Sequence, residues 1–260
     1  MLGLIGAMPD EIEMLVAEMS GSCERVERGG RVYHFGRLWG LDVVAVLSRI
    51  GKVAAASTAT HLVSEFGVKE MILTGVAGAI DPDLRVGDIV VADRLCQHDM
   101  DASPIFPRYE VPLLDRTFFE ADGELQAELF QAAGMFIGHD LHSIRLGRNG
   151  GVLVELGVES PRVRIGTIAS GDQFIKSAEV AERISTDLPG TLCVEMEGAA
   201  VAQVCVEHGA RFGVIRVISD SADHAAAIDF LRSLPRFAGA YAHGVLRRLI
   251  QARTGFGSGG

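Results

Sequence analysis

LGLIGAMPDEIEMLVAEM, residues 2–19, reads as a buried strand that turns directly into a helix. The run at 2–7 is apolar, and Pro9 suits the first turn of a helix, whose positive end favours Asp10 and Glu11. Ile12, Leu15, Val16 and Met19 then recur at helical spacing. The same rhythm extends outward. Strands are expected at 31–35 and 42–47 around a turn at 36–40, and an alanine-rich helix follows Gly51 over 52–66. A strand at 69–74 ends in a glycine loop at 75–78, and another strand runs over 87–91. Pro104, Pro107 and Pro112 make 101–112 a loop, which a helix over 116–135 follows. Residues 147–151 mark a further turn. Strands at 162–169, 191–195 and 212–218 then alternate with helices at 178–185, 196–207 and 230–252. This is an α/β pattern, and its short early strands favour a mixed sheet over a purely parallel one. The expectation is one domain, residues 1–254, with a central mixed β-sheet flanked by helices. A Gly/Ser-rich tail at 255–260 is expected to be flexible.

Composition narrows the function classes. Of the 260 residues, 48% are hydrophobic and 22% charged, so global disorder is excluded. A formal net charge of −10 argues against a general binder of nucleic acid or anionic membrane, since both need a positive field. No apolar run reaches the ~18 residues of a spanning helix. The N-terminus lacks a basic leader segment, so no secretory signal is expected. Cys23, Cys96, Cys193 and Cys205 are widely spaced and read as reduced thiols. A cytoplasmic protein with a small-molecule ligand is the class that remains.

In open α/β sheets, ligands gather at the carboxyl ends of strands. Four such ends carry chemistry here: Glu11, the 75–78 loop, the stretch VEMEG at 194–198, and Ser219-Asp220. A carboxylate just beyond the apolar strand at 212–218 is either a desolvated proton donor or a turn cap. Glu197 and Glu11 carry the same ambiguity at helix starts. Three convergent carboxylates would suit glycosidic cleavage, which needs an acid, a base and negative charge near an oxocarbenium ion. Glu197 could also accept two hydrogen bonds from a ribose diol. Phe174, after Gly171-Asp172-Gln173, can stack a planar base or serve as core. His98-Asp99-Met100-Asp101 loosely resembles a metal site but reads better as a polar loop, and His139 and His142 read as an exposed helix end. Gly3–Gly6 lacks the GxGxxG spacing, and no P-loop or GxSxG pattern occurs, so dinucleotide, P-loop and nucleophile-elbow readings are weak.

On these residues the chain resembles the methylthioadenosine/S-adenosylhomocysteine nucleosidases, within the wider nucleoside phosphorylase superfamily. The matching pieces are GLIGAMPDEIE at 3–13, SRIGKVAAA at 48–56, LTGVAGAI at 73–80, VGDIVVAD at 86–93 and HDMDA at 98–102. SGDQFI at 170–175, VEMEGAAVAQVC at 194–205 and RVISDSAD at 216–223 complete the set. The resemblance implies hydrolysis of the N-glycosidic bond of 5′-thio-substituted adenosines, with no cofactor and no metal. It makes Asp220 the acid that protonates adenine at N7, with Ser219 orienting it, and Glu11 the group that activates water. Glu197 would bind the ribose hydroxyls with Met196 beside the sugar. Phe174 would stack on adenine, and the backbone of Ile175 would read its edge. Val76 and Gly78 fall in the loop beside the sugar, and Met8, Ile50 and Phe230 line the ribose and 5′-alkylthio pocket. Such enzymes lend apolar residues from a segment like 101–109 to a neighbouring subunit, which implies a homodimer with Phe106 and Tyr109 as donors.

Three departures stand out. Val76 replaces a serine whose hydroxyl would help hold the water. Arg49 replaces a small residue and is expected to add positive charge near the water site. The stretch 138–161 is longer than the family pattern. The rivals are a phosphorylase, which uses phosphate in place of water, and a nucleosidase for another adenosine derivative such as aminofutalosine. A non-catalytic nucleoside-binding protein is a third reading, which the joint retention of Glu11, Glu197 and Asp220 disfavours.

Overall fold

The computed structural model describes residues 1–142, 158–222 and 226–256, with side chains except at 21–22 and 226–237. The turn expected at 147–151, most of the stretch 138–161 and the tail beyond Phe256 lie outside the described residues.

The opening motif forms as read: β1 (Leu2–Gly6) turns into α1 (Pro9–Glu18), with Pro9 at the first helical position. A hairpin of β2 (Ser20–Arg28) and β3 (Arg31–Leu38) leads to β4 (Leu41–Leu47) and α2 (Lys52–Ser64). Next come β5 (Glu70–Thr74), β6 (Val76–Ala79), β7 (Ile89–Gln97), β8 (Phe118–Glu120) and α3 (Gly123–Met135). The chain continues through β9 (Val163–Ser170), α4 (Ala178–Asp187), β10 (Thr191–Glu195) and α5 (Gly198–His208). It ends with β11 (Arg211–Asp220) and α6 (Ala226–Thr254).

The strands form one mixed sheet in the order β2-β3-β4-β1-β5-β11-β6-β10-β9-β7-β8. The expected mixed sheet flanked by helices is therefore borne out. Its central strands are buried on both faces, as their near-continuous apolar sequences require. In β1, Ile5 packs on the side of α2 and α5, whereas Leu2 and Leu4 pack against α1, α3 and α6. β11 is the switch strand. It pairs with β5 through 211–214, with β6 through 217–220 and, antiparallel, with β7 through 215–217. The last two pairings close β11, β6, β10, β9 and β7 into a ring. Its register sets Gly78 opposite both Val194 and Asp220, so three distant stretches of chain meet at one rung.

Four local expectations need correction. The stretch 20–28 is an edge strand whose polar sequence hides it. Residues 76–79 form β6 rather than a loop, because they bridge β10 and β11. β7 runs on to Gln97, six residues past its expected end, because it pairs with β9 and β8. The helix expected at 116–135 begins only at Gly123. Residues 118–120 pair with 94–96, and the Asp122 carboxylate caps the helix by accepting from Leu125 N at 2.9 Å.

Candidate active site

The β1–α1 junction places Glu11 one turn into a helix and keeps it 1% exposed. Its Oε2 reaches back to accept from the amides of Ala7 (2.7 Å) and Met8 (3.0 Å), so the capping role is real. It uses half of the group. Oε1 is buried without a partner among the described residues. Burial raises the pKa of Glu11, against the opposing pull of the Met8 and Ala7 amides and of Arg216, which makes its carboxylate a stronger base than usual.

Glu195 closes β10 and performs the capping that sequence position suggests for Glu197. Its oxygens accept from the amides of Glu197 (3.1 Å) and Gly198 (2.9 Å) and from the Ser170 hydroxyl. Glu197 is thereby released to turn elsewhere. It accepts from the amide of Gly51 at 2.9 Å and lies 3.4 Å from the Arg216 guanidinium. Burial first, then the charge of Glu195, pushes its pKa up to about 7.

Arg216 is the residue the sequence reading missed. It sits inside the apolar run of β11, 1% exposed, and ion-pairs with Glu195 and Glu197 while reaching the Thr74 carbonyl. Burial opposes its charge, but the surrounding carboxylates outweigh that and raise its pKa. A Cβ at Gly75 would overlap its guanidinium, and the same position lies 3.2 Å from Glu11 Oε1. Gly75 is thus the spot where the arginine and the base approach each other. A charged residue amid VIRVIS was the available signal, since a buried charge demands partners.

Asp220 ends β11 at 3% exposure. Its Oδ2 accepts from Ser219 Oγ at 2.7 Å and its Oδ1 from the Ala222 amide at 2.9 Å. It too caps a turn while facing a cavity.

That cavity, of about 290 Å³, brings the expected residues together. Glu11, Glu197, Ser219 and Asp220 line it, as do Met8, Ile50, Val76, Gly78, Phe174, Ile175 and Met196, and Glu195 and Arg216 join them. Phe174 and Ile50 are half-exposed at 41% and 51%, whereas Ile175 is buried. Val76 packs with Ala238 of α6 and with Met8. The side chain of Phe230 lies outside the described residues.

Two expectations fail. Arg49 points away from the cavity: it is exposed and donates to the Gly30 carbonyl in the β2–β3 turn. The positive charge beside the carboxylates belongs to Arg216 instead. Tyr109 is not available to a neighbouring subunit. It is 7% exposed within its own chain, packs with Ile175, Ile184 and Leu188, and donates to Asp187 at 2.6 Å. Phe106 is half-buried in the same loop and Ile105 is 83% exposed.

Known proteins resemble this chain along nearly its whole length. The family model of the phosphorylase superfamily matches residues 1–251. An aminodeoxyfutalosine nucleosidase of Helicobacter pylori is 34% identical over 88% of this chain and 89% of its own. A 5′-methylthioadenosine/S-adenosylhomocysteine nucleosidase of Actinobacillus succinogenes is 35% identical over 90% of this chain and 91% of its own. The crystal structure of the Neisseria meningitidis 5′-methylthioadenosine/S-adenosylhomocysteine nucleosidase with methylthio-immucillin-A superimposes with a TM-score of 0.83. It is 32% identical and covers 96% of this chain and 98% of that one. A chain that carries this cavity and matches these relatives along nearly its whole length belongs to the phosphorylase superfamily, as a member of its 5′-methylthioadenosine/S-adenosylhomocysteine nucleosidase family of N-glycosidic-bond hydrolases.

Proposed function

We propose that the cavity binds 5′-methylthioadenosine or S-adenosylhomocysteine and hydrolyses its N-glycosidic bond, releasing adenine and a 5-thioribose product. The observation that carries the reading is the cluster itself. Three carboxylates from distant parts of the chain meet in one largely apolar cavity, and Glu11 Oε1 faces no donor among the described residues. Phe174 stacks on adenine and the Ile175 backbone reads its edge. Glu197 accepts the ribose hydroxyls, Met196 packs beside the sugar, and Met8 and Ile50 take the 5′-alkylthio end.

Water attacks the anomeric carbon while its proton passes to Glu11. The bond to N9 breaks, its electron pair enters the purine, and N7 takes the proton of Asp220, which Ser219 holds in place. Adenine leaves neutral, and the carboxylates offset the positive charge that builds on the ribosyl ring. Arg216 steadies the carboxylate cluster rather than receiving an anion. Its guanidinium is engaged by Glu195, Glu197 and Thr74, and three carboxylates nearby would repel a phosphate dianion. This favours hydrolysis over phosphorolysis.

The test is adenine release from methylthioadenosine, adenosylhomocysteine and aminodeoxyfutalosine, and base release from inosine, each with and without phosphate. Phosphate-independent release from the two thio-nucleosides is the expected result. A strict phosphate requirement would overturn hydrolysis. Turnover of aminodeoxyfutalosine alone would move the substrate to that of the Helicobacter pylori relative.

The working form is a homodimer in the cytoplasm. Half-exposed Ile50 and Phe174 at the cavity, and Ile105 and Phe106 in the 101–109 loop, are apolar surface that a second copy would cover. The four cysteines are unpaired and three are buried, which suits a reducing compartment. Sedimentation equilibrium should give twice the chain mass, and Phe106→Ala should raise KM. A monomer with unchanged KM in that variant would remove the subunit exchange.

A further inference from the structure

The HDMD stretch at 98–101 lies outside the reacting cluster, yet it is wired to both halves of the cavity. Lys52, the first residue of α2, is the centre of that wiring. Its ammonium donates to Asp99 Oδ1 at 2.5 Å and to Gln97 Oε1 at 2.8 Å. Its backbone amide donates to Asp172 Oδ1 at 2.7 Å, and the Asp172 amide donates to Asp99 Oδ2 at 2.9 Å. The ring is closed: Lys52, Asp99 and Asp172 each bond the other two. One residue earlier, the Gly51 amide holds Glu197.

Two neighbouring amides at the start of α2 thus grip the sugar-binding carboxylate and the root of the loop that carries Gln173, Phe174 and Ile175. Helix starts leave amides unsatisfied, so both bonds use donors the helix cannot employ. The 170–175 loop has a second anchor at its base, where Gly171 N donates to the Glu195 carbonyl at 3.0 Å. The His98 ring lies against Gly171, where any Cβ would collide with it. Asp172 is therefore held from the α2 and HDMD side. Lys52 and Asp99 are only 17% and 16% exposed, so their pair escapes much of the screening that weakens surface ion pairs. Burial disfavours the Asp99 carboxylate, but the Lys52 ammonium and the Asp172 amide outweigh it and hold its pKa below the usual range.

We propose that Lys52 and Asp99 are positioning residues that fix the purine-stacking loop relative to the ribose carboxylate Glu197, so that base and sugar are held in the relation bond cleavage requires. The proposal rests on the nucleosidase reading of the cavity. It deepens that reading by assigning work to two residues that do not line the cavity. Positioning of this kind acts on the transition state more than on either fragment alone, and a displacement of about 1 Å can cost up to about 100-fold.

The test compares Lys52→Met, Asp99→Asn and Lys52→Arg with the wild type, using methylthioadenosine turnover and inhibition by free adenine. Adenine meets the loop and Asp220 but not the ribose carboxylate Glu197, so it reports on the base subsite by itself. For Lys52→Met and Asp99→Asn, kcat/KM should fall about 10- to 100-fold with the adenine inhibition constant within about threefold. Lys52→Arg, which keeps the charge, should recover most of the loss. A parallel loss of adenine affinity would overturn the proposal, because the pair would then merely order the loop. So would a kcat/KM within about twofold of wild type. Asp99→Asn is nearly isosteric and carries the test should Lys52→Met not fold. Failure of the wild type itself to release adenine would strike the nucleosidase reading instead, and the two failures are thereby distinct.

Discussion

Asp220→Asn should lower kcat for adenine release from methylthioadenosine about 10³-fold while leaving the thermal unfolding midpoint within a few degrees of wild type. The fold survives because asparagine can satisfy both neighbours. Its carbonyl can accept from the Ala222 amide, as Asp220 Oδ1 does, while its NH₂ faces Ser219 Oγ. A hydroxyl can turn to accept as readily as it donates, and Ser219 Oγ can then give its proton to the Ala77 carbonyl, so these contacts survive the change. Proton transfer is what disappears, because an amide has no acidic proton to give N7. The purine must then leave as an anion in an apolar cavity. Nucleoside binding should change little, since the base is still stacked and the sugar still meets Glu197. Measured turnover near the wild-type rate would sink Asp220 as the acid. A collapse of substrate affinity equal to the loss in rate would make it a binding group instead.

The legible part of this protein was the part governed by local rules. Strand–helix alternation survived because β1, β5 and β11 are buried on both faces and read as apolar runs, interrupted within 212–218 of β11 by Arg216. Glu11, Glu197 and Asp220 were legible because each carboxylate lies at or shortly past the end of a buried strand, where burial or a cap must explain it. Sequence position could not separate those two explanations. In the structure they coexist for Glu11 and Asp220, each of which spends one oxygen on a turn amide.

What stayed hidden depends on pairing between distant residues. β2 and β8 exist because β3 and β7 offer them partners: β2 has a polar sequence, and β8, though it holds two phenylalanines, is only three residues long. Glu195 reads as the last residue of a strand, and only the return of the chain at α5 makes it the cap that frees Glu197. Arg216 reads as one polar residue in a strand until three glutamates from elsewhere surround it. Tyr109 shows the opposite error. An aromatic residue in a proline-rich loop looked available to a neighbour, but Asp187 and the apolar residues around α4 claim it.

Glu11→Gln tests the other half of the reaction and the cluster around Arg216 together. The glutamine would keep the hydrogen bonds to the Ala7 and Met8 amides through its carbonyl oxygen, so the β1–α1 turn should hold. It cannot take a proton from water, and kcat should fall about 10³-fold with the dissociation constant for methylthioadenosine changed only slightly. A second consequence follows from charge. Glu197, with a pKa pushed up to about 7, is raised in part by the negative charge of Glu11. The free wild-type enzyme binds a proton there as pH falls through 7, and a protonated carboxyl is a poorer acceptor for ribose hydroxyls. The wild-type kcat/KM should therefore decline on the acid side with a midpoint near 7. Removing the Glu11 charge lowers the cost of ionising Glu197, so the limb should move to lower pH in the residual activity of Glu11→Gln. A wild-type profile flat between about pH 6 and 8, or an acid limb in the variant that does not move, would mean that the two glutamates do not share the field of Arg216 as the geometry requires.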